Sequence, residues 1–131
     1  MSKYKFPKSA RLTSKFDFRR VLEYKLFSKN NLMTLYIAPN SISKARFAVS
    51  ISSKIAPAVV RNRLKRLARE AFRLSRDEIT DSFDYLIIYS TMLSKKACSD
   101  ISKITLNEVK QSFLDLAEQG RRLFEKRRDK I

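Results

Sequence analysis

Histidine and tryptophan are absent from the 131 residues of this chain, and cysteine and glycine occur once each, as Cys98 and Gly120. Without His there is no imidazole base, no Ser-His-Asp or Cys-His pair and no Cys/His zinc site. One cysteine cannot close an intramolecular disulfide, as expected of a protein kept in a reducing compartment. A single glycine also excludes a Gly-rich phosphate-binding loop. No apolar stretch approaches the ~20 residues of a membrane-spanning helix. The first eleven residues scatter Lys3, Lys5, Lys8 and Arg11 among isolated apolar positions, unlike an export signal. The expectation is a cytoplasmic protein with no membrane partner.

Acidic residues are scarce too, and unevenly placed. Thirteen Asp and Glu face 29 Lys and Arg, a net charge of +16, and none of the thirteen falls between Glu23 and Glu70. That span holds ten basic residues: Lys25, Lys29, Lys44, Arg46, Lys54, Arg61, Arg63, Lys65, Arg66 and Arg69. An ordinary solubilising surface interleaves both signs. A one-signed block repels itself, and a neutralising nucleic acid accounts for it better than water alone. With 44% hydrophobic residues the chain still has enough apolar material for a core. We expect one RNA-binding domain over residues 1–131, with a basic arm at 1–12 and a basic tail at 121–131.

The apolar spacing predicts an α+β fold in the order α-β-β-α-β-α. Ser14 and Asp17 offer a cap ahead of Phe18, Val21 and Leu22, a helical stripe over about 14–24. Met33, Leu35 and Ile37 alternate with Thr34 and Tyr36, and Phe47, Val49 and Ile51 alternate with Ala48, Ser50 and Ser52. Turn residues Pro39-Asn40-Ser41 between the two strands suggest an antiparallel hairpin. Val60, Leu64, Leu67, Ala71 and Leu74 mark an amphipathic helix over about 57–75, with Arg61, Lys65, Arg69 and Arg73 on its other sides. Tyr85–Tyr89 reads as a central strand buried on both faces. Thr105 and Glu108 form a capping box for a last helix, which either ends near Gly120 or runs on through Leu123 and Phe124. In this mostly antiparallel sandwich, helices cover one sheet face and leave the other free to bind.

No pair of carboxylates has catalytic spacing in an apolar setting, so no catalytic residue is expected in the protein. Asp77, Glu78, Asp81 and Asp84 read as a solvated loop rather than a metal site. Arg and Lys suit phosphates, and Tyr36 and Phe18 could stack on unpaired bases from the open face. Asn62, lodged between two arginines at a helix start, suits polar recognition better than the core. Nothing points to a small-molecule substrate.

Ala58-Val59-Val60-Arg61-Asn62-Arg63-Leu64-Lys65-Arg66-Leu67-Ala68-Arg69-Glu70-Ala71-Phe72-Arg73 resembles the RNR signature of the protein subunit of bacterial ribonuclease P. Phe16-Asp17-Phe18-Arg19-Arg20-Val21-Leu22 resembles that family's first helix, and Phe47–Lys54 its strand before the signature; the likeness covers about residues 8–120. The resemblance implies a left-handed βαβ crossover and a division of labour. A catalytic RNA, using Mg²⁺ held mainly by RNA, removes the 5′ leader of precursor tRNA, and the protein binds both RNAs. It assigns leader binding to Phe18, Leu22, Tyr36, Ser50, Ser52, Lys54, Arg61 and Asn62. It assigns the catalytic RNA to Arg61, Arg63, Lys65, Arg66, Arg69 and Arg73. The chain departs from the family pattern at Lys25 and Ala56, where Gly is common, at Ser53, where Lys is common, and at Leu22, often aromatic. The alternative is a basic ribosomal or other structured-RNA-binding protein with no role in tRNA cleavage.

Overall fold

The computed structural model describes residues 10–12 and 14–129; residues 1–9 of the expected arm and 130–131 of the tail lie outside them. The chain order is α1 (Lys15–Tyr24), β1 (Phe27–Lys29), β2 (Met33–Pro39), β3 (Arg46–Ser50), α2 (Ala58–Leu74), β4 (Phe83–Tyr89), α3 (Cys98–Ile101) and α4 (Leu106–Asp129), with short 3-10 turns at Arg76–Glu78 and Thr91–Lys95. Among the described residues the strands form one sheet in the order β1-β2-β4-β3.

That order overturns the expected hairpin. β2 does not pair with β3, because β4 lies between them, antiparallel to β2 and parallel to β3. A parallel neighbour needs a long crossover, and α2 supplies it. The Pro39-Asn40-Ser41 segment closes against β4 instead: the Asn40 amide donates to the Ser82 carbonyl at 2.7 Å. The true antiparallel partner of β2 on its other side is β1, whose three residues are too few to show alternation. The central, doubly buried strand is where the apolar run placed it, two residues longer at its start.

The two sheet faces carry different loads. On one, α2 and α4 pack Leu64, Ala68, Ala71, Phe72, Val109, Phe113 and Leu116 against Met33, Leu35, Ile37, Phe47, Tyr85, Ile87 and Tyr89. Phe47 and Phe72 stack at 4.8 Å, and Phe113 meets Tyr85 edge-on at 5.7 Å. Each such side chain contributes about 1.5–3 kcal/mol by leaving water. The predicted α2 stripe holds at Leu64 and Ala71, while Val60 and Leu67 are half-buried and Ala68 and Phe72 complete the row. The capping box of α4 is formed in both directions, Thr105 N–H to Glu108 at 2.9 Å and Glu108 N–H to Thr105 Oγ1 at 3.1 Å. Gly120 does not end the helix. A Cβ there would sit 2.9 Å from Ile37 Cδ1, so glycine lets α4 lie close on β2 while the helix continues to Asp129.

The second face is not free along its length, as the sequence suggested. Val21 of α1 and Leu12 of the preceding segment pack on Ala38, Ala48 and Leu86, covering one end of it. Leu12 N–H donates to the Phe47 carbonyl at 2.9 Å, so the end of the arm is docked beside β3. Asp84 also differs from expectation: it is a fully buried anchor, not a loop carboxylate. Arg46 donates to both its oxygens at 2.9 Å, Asn40 to one at 2.8 Å, and Arg20 of α1 pairs with it while reaching the Pro39 carbonyl at 2.9 Å. Asp17, also on α1, lies 3.5 Å from Arg46. The Asp84 hydrogen bond holds the Arg46 guanidinium above its ordinary pKa.

Lys25 ends α1 in the left-handed region, φ 57°, which explains why glycine suits this position. Its carbonyl and that of Tyr24 accept from Arg127 at 3.1 and 2.8 Å, so the far end of α4 caps α1. Removing the shared carboxylate by Asp84→Ala takes the buried acceptor from two guanidinium groups at the α1–sheet seam, leaving Arg46 only Asp17 at 3.5 Å and Arg20 only the Pro39 carbonyl. The expected loss is about 3 kcal/mol, read from the midpoint of a urea melt; a loss below about 1 kcal/mol would show that α1 is held without it.

Candidate nucleic-acid interface

Register puts the α1-side residues of the sheet in rows. One row runs Ala38–Asp84–Arg46, the next Phe27–Tyr36–Leu86–Ala48, and the third Lys29–Thr34–Ile88–Ser50. Burial falls off row by row away from α1. Ala38 and Asp84 are sealed; in the middle row Leu86 and Ala48 are buried, Tyr36 is half-buried and Phe27 is exposed. In the third row Thr34 and Ile88 are half-buried, and Lys29 and Ser50 are exposed. The result is a shallow trough, walled by α1 and floored by small and aromatic side chains.

The expected leader residues line this trough from several elements. Phe18 is half-buried against the Leu12–Val21 cluster, and with Arg11, Ala48 and Arg69 it borders a groove between α1, β3 and α2. Leu22, on the same helix, is 38% exposed. The Tyr36 ring lies 5.3 Å from that of Phe27. Ser52 is half-buried, its Oγ accepting from the Lys54 amide at 3.2 Å, while Lys54 is exposed. Beyond the third row, Lys29, Asn30, Asn31, Thr34, Ile88 and Ser90 line a wider groove. Phe27 is not marked by the sequence and Lys29 only as one of the ten cations of the acid-free span, since a three-residue strand carries no periodic signal. The turn residues Asn30-Asn31 after it were the available clue.

The cations of α2 fall into separate groups. Arg66 and Arg69 are exposed and, among the described residues, have no carboxylate within 4.0 Å. Lys65 is half-buried and likewise unpaired. Arg73 is neutralised by Glu70, whose hydrogen bond raises its pKa. Arg61 is half-buried and donates through Nε to the Ala56 carbonyl at 3.0 Å, tying the helix start to the loop before it. Asn62 is exposed beside it. Arg63 lies half-buried toward Tyr89, whose hydroxyl donates to the Leu64 carbonyl at 2.7 Å. Burial pushes that phenol far above its usual range and the Arg63 charge opposes the push. Val59, 82% exposed next to the cations, is an apolar contact that the stripe did not flag. Arg69 lies on the Phe18 groove, so the helix surface and the sheet trough meet at the β3 edge.

The arrangement offers cations, stacking rings and small polar side chains, which suits single-stranded and structured RNA. Among the described residues no three Asp, Glu, Cys or His side chains cluster as metal ligands. No described helix is long and apolar enough to cross a membrane.

Comparison with known proteins places the chain as a whole. The family model described as Ribonuclease P matches residues 6–117. The ribonuclease P protein component of Dictyoglomus turgidum is 33% identical over 121 residues, covering 92% of this chain and 96% of the relative. That of Methylococcus capsulatus is 36% identical over 117 residues, covering 88% of each. The RNase P protein of Thermotoga maritima superposes with a TM-score of 0.72 at 25% identity, over 83% of this chain and 96% of that one. An RNase P protein of Staphylococcus aureus, 23% identical, shares the fold with a TM-score of 0.73 over 87% and 90% of the two chains. A signature helix, a walled sheet face and near full-length similarity thus converge, and the chain belongs to the bacterial ribonuclease P protein family.

Proposed function

We propose that the two surfaces divide the work of a ribonuclease P protein component: α2 holds the catalytic RNA, and the sheet trough holds the 5′ leader of precursor tRNA. The holoenzyme is an RNA-catalysed endoribonuclease that processes tRNA 5′ ends, and the partners of its protein component are the ribonuclease P RNA and precursor tRNA. The alternative of a ribosomal protein is not favoured by the family match.

The observation that carries the assignment is the uncovered end of the sheet, where Tyr36 and Phe27 stand beside Thr34, Ile88 and Ser50 with α1 as a wall. A single strand can lie there with bases against rings and phosphates toward Lys54, Arg61 and Asn62 at the β3 edge. Unpaired bases, unlike those of a duplex, can stack on aromatic side chains. Leader binding is thus assigned to Phe18, Leu22, Tyr36, Ser50, Ser52, Lys54, Arg61 and Asn62. The catalytic RNA takes Arg61, Arg63, Lys65, Arg66, Arg69 and Arg73 through its phosphates. A metal requirement suits a ribonuclease, and we take the ion to be Mg²⁺ bound by RNA. The protein's contribution is binding and neutralisation, and residues 1–131 act as one cytoplasmic RNA-binding domain with a basic arm and tail.

Reconstitution tests the role: precursor tRNA is incubated in low Mg²⁺ with the RNA subunit alone, the protein alone, and both. Cleavage should be fastest in the mixture and absent with protein alone. No stimulation in the mixture would remove the assignment.

Two substitutions test the division. Arg66→Ala with Arg69→Ala should flatten the salt dependence of RNA-subunit binding by roughly 0.7–0.9 slope units for each phosphate no longer neutralised. An unchanged slope would mean that neither side chain touches phosphate. Tyr36→Ala should weaken precursor-tRNA binding to the holoenzyme by about 1–3 kcal/mol while leaving mature tRNA unaffected. Equal losses for both tRNAs would take Tyr36 out of the leader site.

A further inference from the structure

The last turns of α4 form a second groove that the trough does not include. Lys25, Leu26, Phe27, Leu123, Lys126 and Arg127 line a depression of about 400 Å³ where α4 passes the α1–β1 junction. Two apolar side chains there remain in water, Phe27 at 44% and Leu123 at 41% exposure. Three cations rim it and no acid lines it. Lys25 and Lys126 have no carboxylate within 4.0 Å among the described residues, whereas Glu118 and Glu125 of the same helix are engaged by Arg121. The family model ends its match at residue 117, so this stretch of α4 lies beyond it.

The groove is tied to the rest of the fold by contacts along α4. Ser28 Oγ donates to the Leu116 carbonyl at 2.8 Å, Gly120 presses against Ile37, and Arg127 clamps the Tyr24 and Lys25 carbonyls with its guanidinium 5.1 Å from the Tyr24 ring centre. It is also continuous with the trough. Phe27 belongs to both, since its ring touches Tyr36 on one side and borders Leu123 and Lys126 on the other.

We infer that this groove is an extension of the leader site, binding single-stranded leader nucleotides farther from the cleavage point than those on the sheet. The inference rests on the leader assignment made above. The signature helix begins at the β3 edge, so a leader that leaves the catalytic RNA there crosses the sheet toward β1. The next surface it meets is Phe27, followed by Lys126 and Lys25. Exposed ring, aliphatic floor and unpaired cations are the features that hold a single strand without reading its sequence. Free phosphate would not need the ring.

The experiment measures binding of precursor tRNA to the reconstituted holoenzyme with leaders of about two and about ten nucleotides. Leu123→Ala with Lys126→Ala, which leaves the shared Phe27 in place, should weaken binding of the long-leader substrate about fivefold or more and change the short-leader substrate by less than about twofold. Lys126→Glu alone, at an exposed position that cannot disturb folding, should give the same leader-length dependence. No loss, or equal loss for both leaders, overturns the inference; equal loss would place the groove on the catalytic RNA or the tRNA body. Tyr36→Ala in the same assay separates the two levels. If its effect depends on the leader and the groove variants' does not, only the extension fails. If Tyr36→Ala shows no leader dependence, the trough assignment and the extension fail together.

Discussion

Asp84 is sealed from water between the guanidinium groups of Arg20 and Arg46, and the position of α1 follows from that contact. One carboxylate joins α1, the end of β2, β3 and β4, since Arg20, Asn40 and Arg46 all converge on it. Burying a charge is costly unless paired and fully hydrogen-bonded, and here both oxygens are engaged. Such a network adds little net stability over a well-packed apolar seam, but it accepts only one placement of the helix. With α1 fixed over the Ala38–Asp84–Arg46 row, the next two rows are left half-covered and open. The trough is therefore a by-product of where one ion-pair network stands.

The +16 net charge is less outward-facing than its size suggests. Arg20 and Arg46 are consumed at Asp84, Arg73 at Glu70, Arg121 at Glu118 and Glu125, and Arg127 at two backbone carbonyls. Among the described residues, the cations without a carboxylate partner include Lys65, Arg66 and Arg69 on α2, Lys54 on the loop before it, and Lys25 and Lys126 beside the α4 groove. Self-repulsion falls where charges are paired, and attraction for polyanions is kept where they are not. Composition reports the sum of the two groups and cannot divide them.

Much of the fold was legible because periodicity survives wherever an element is long. The apolar run of β4 and the Thr105–Glu108 box appear as read, and the α2 stripe does so at Leu64 and Ala71. What escaped is set by contacts distant in sequence. Turn chemistry at Pro39-Asn40-Ser41 is the same whether the chain returns beside β2 or crosses the end of β4, and only the partner at Ser82 decides. Asp84 looks like its loop neighbours Asp77 and Asp81 until Arg20 and Arg46 are brought to it. For the site, the signature residues lie on α2 as the resemblance implied, and Phe18, Tyr36 and Ser50 share one side of the sheet. Phe27, in contrast, belongs to a strand defined only by its pairing with β2.

The strand order has a consequence for how the chain emerges from the ribosome. Synthesis proceeds from the N-terminus, and domains begin to fold as they appear. β1 and β2 can pair early, but β3 has no neighbouring strand until β4 is made, and Arg20 and Arg46 precede the carboxylate that buries them. The acid-free segment is therefore complete before Asp84 exists, with Asp17 as the earlier carboxylate beside Arg46. Closure of β4 into the sheet gives β3 its neighbour and brings Asp84 to both arginines, and α4 then completes the core.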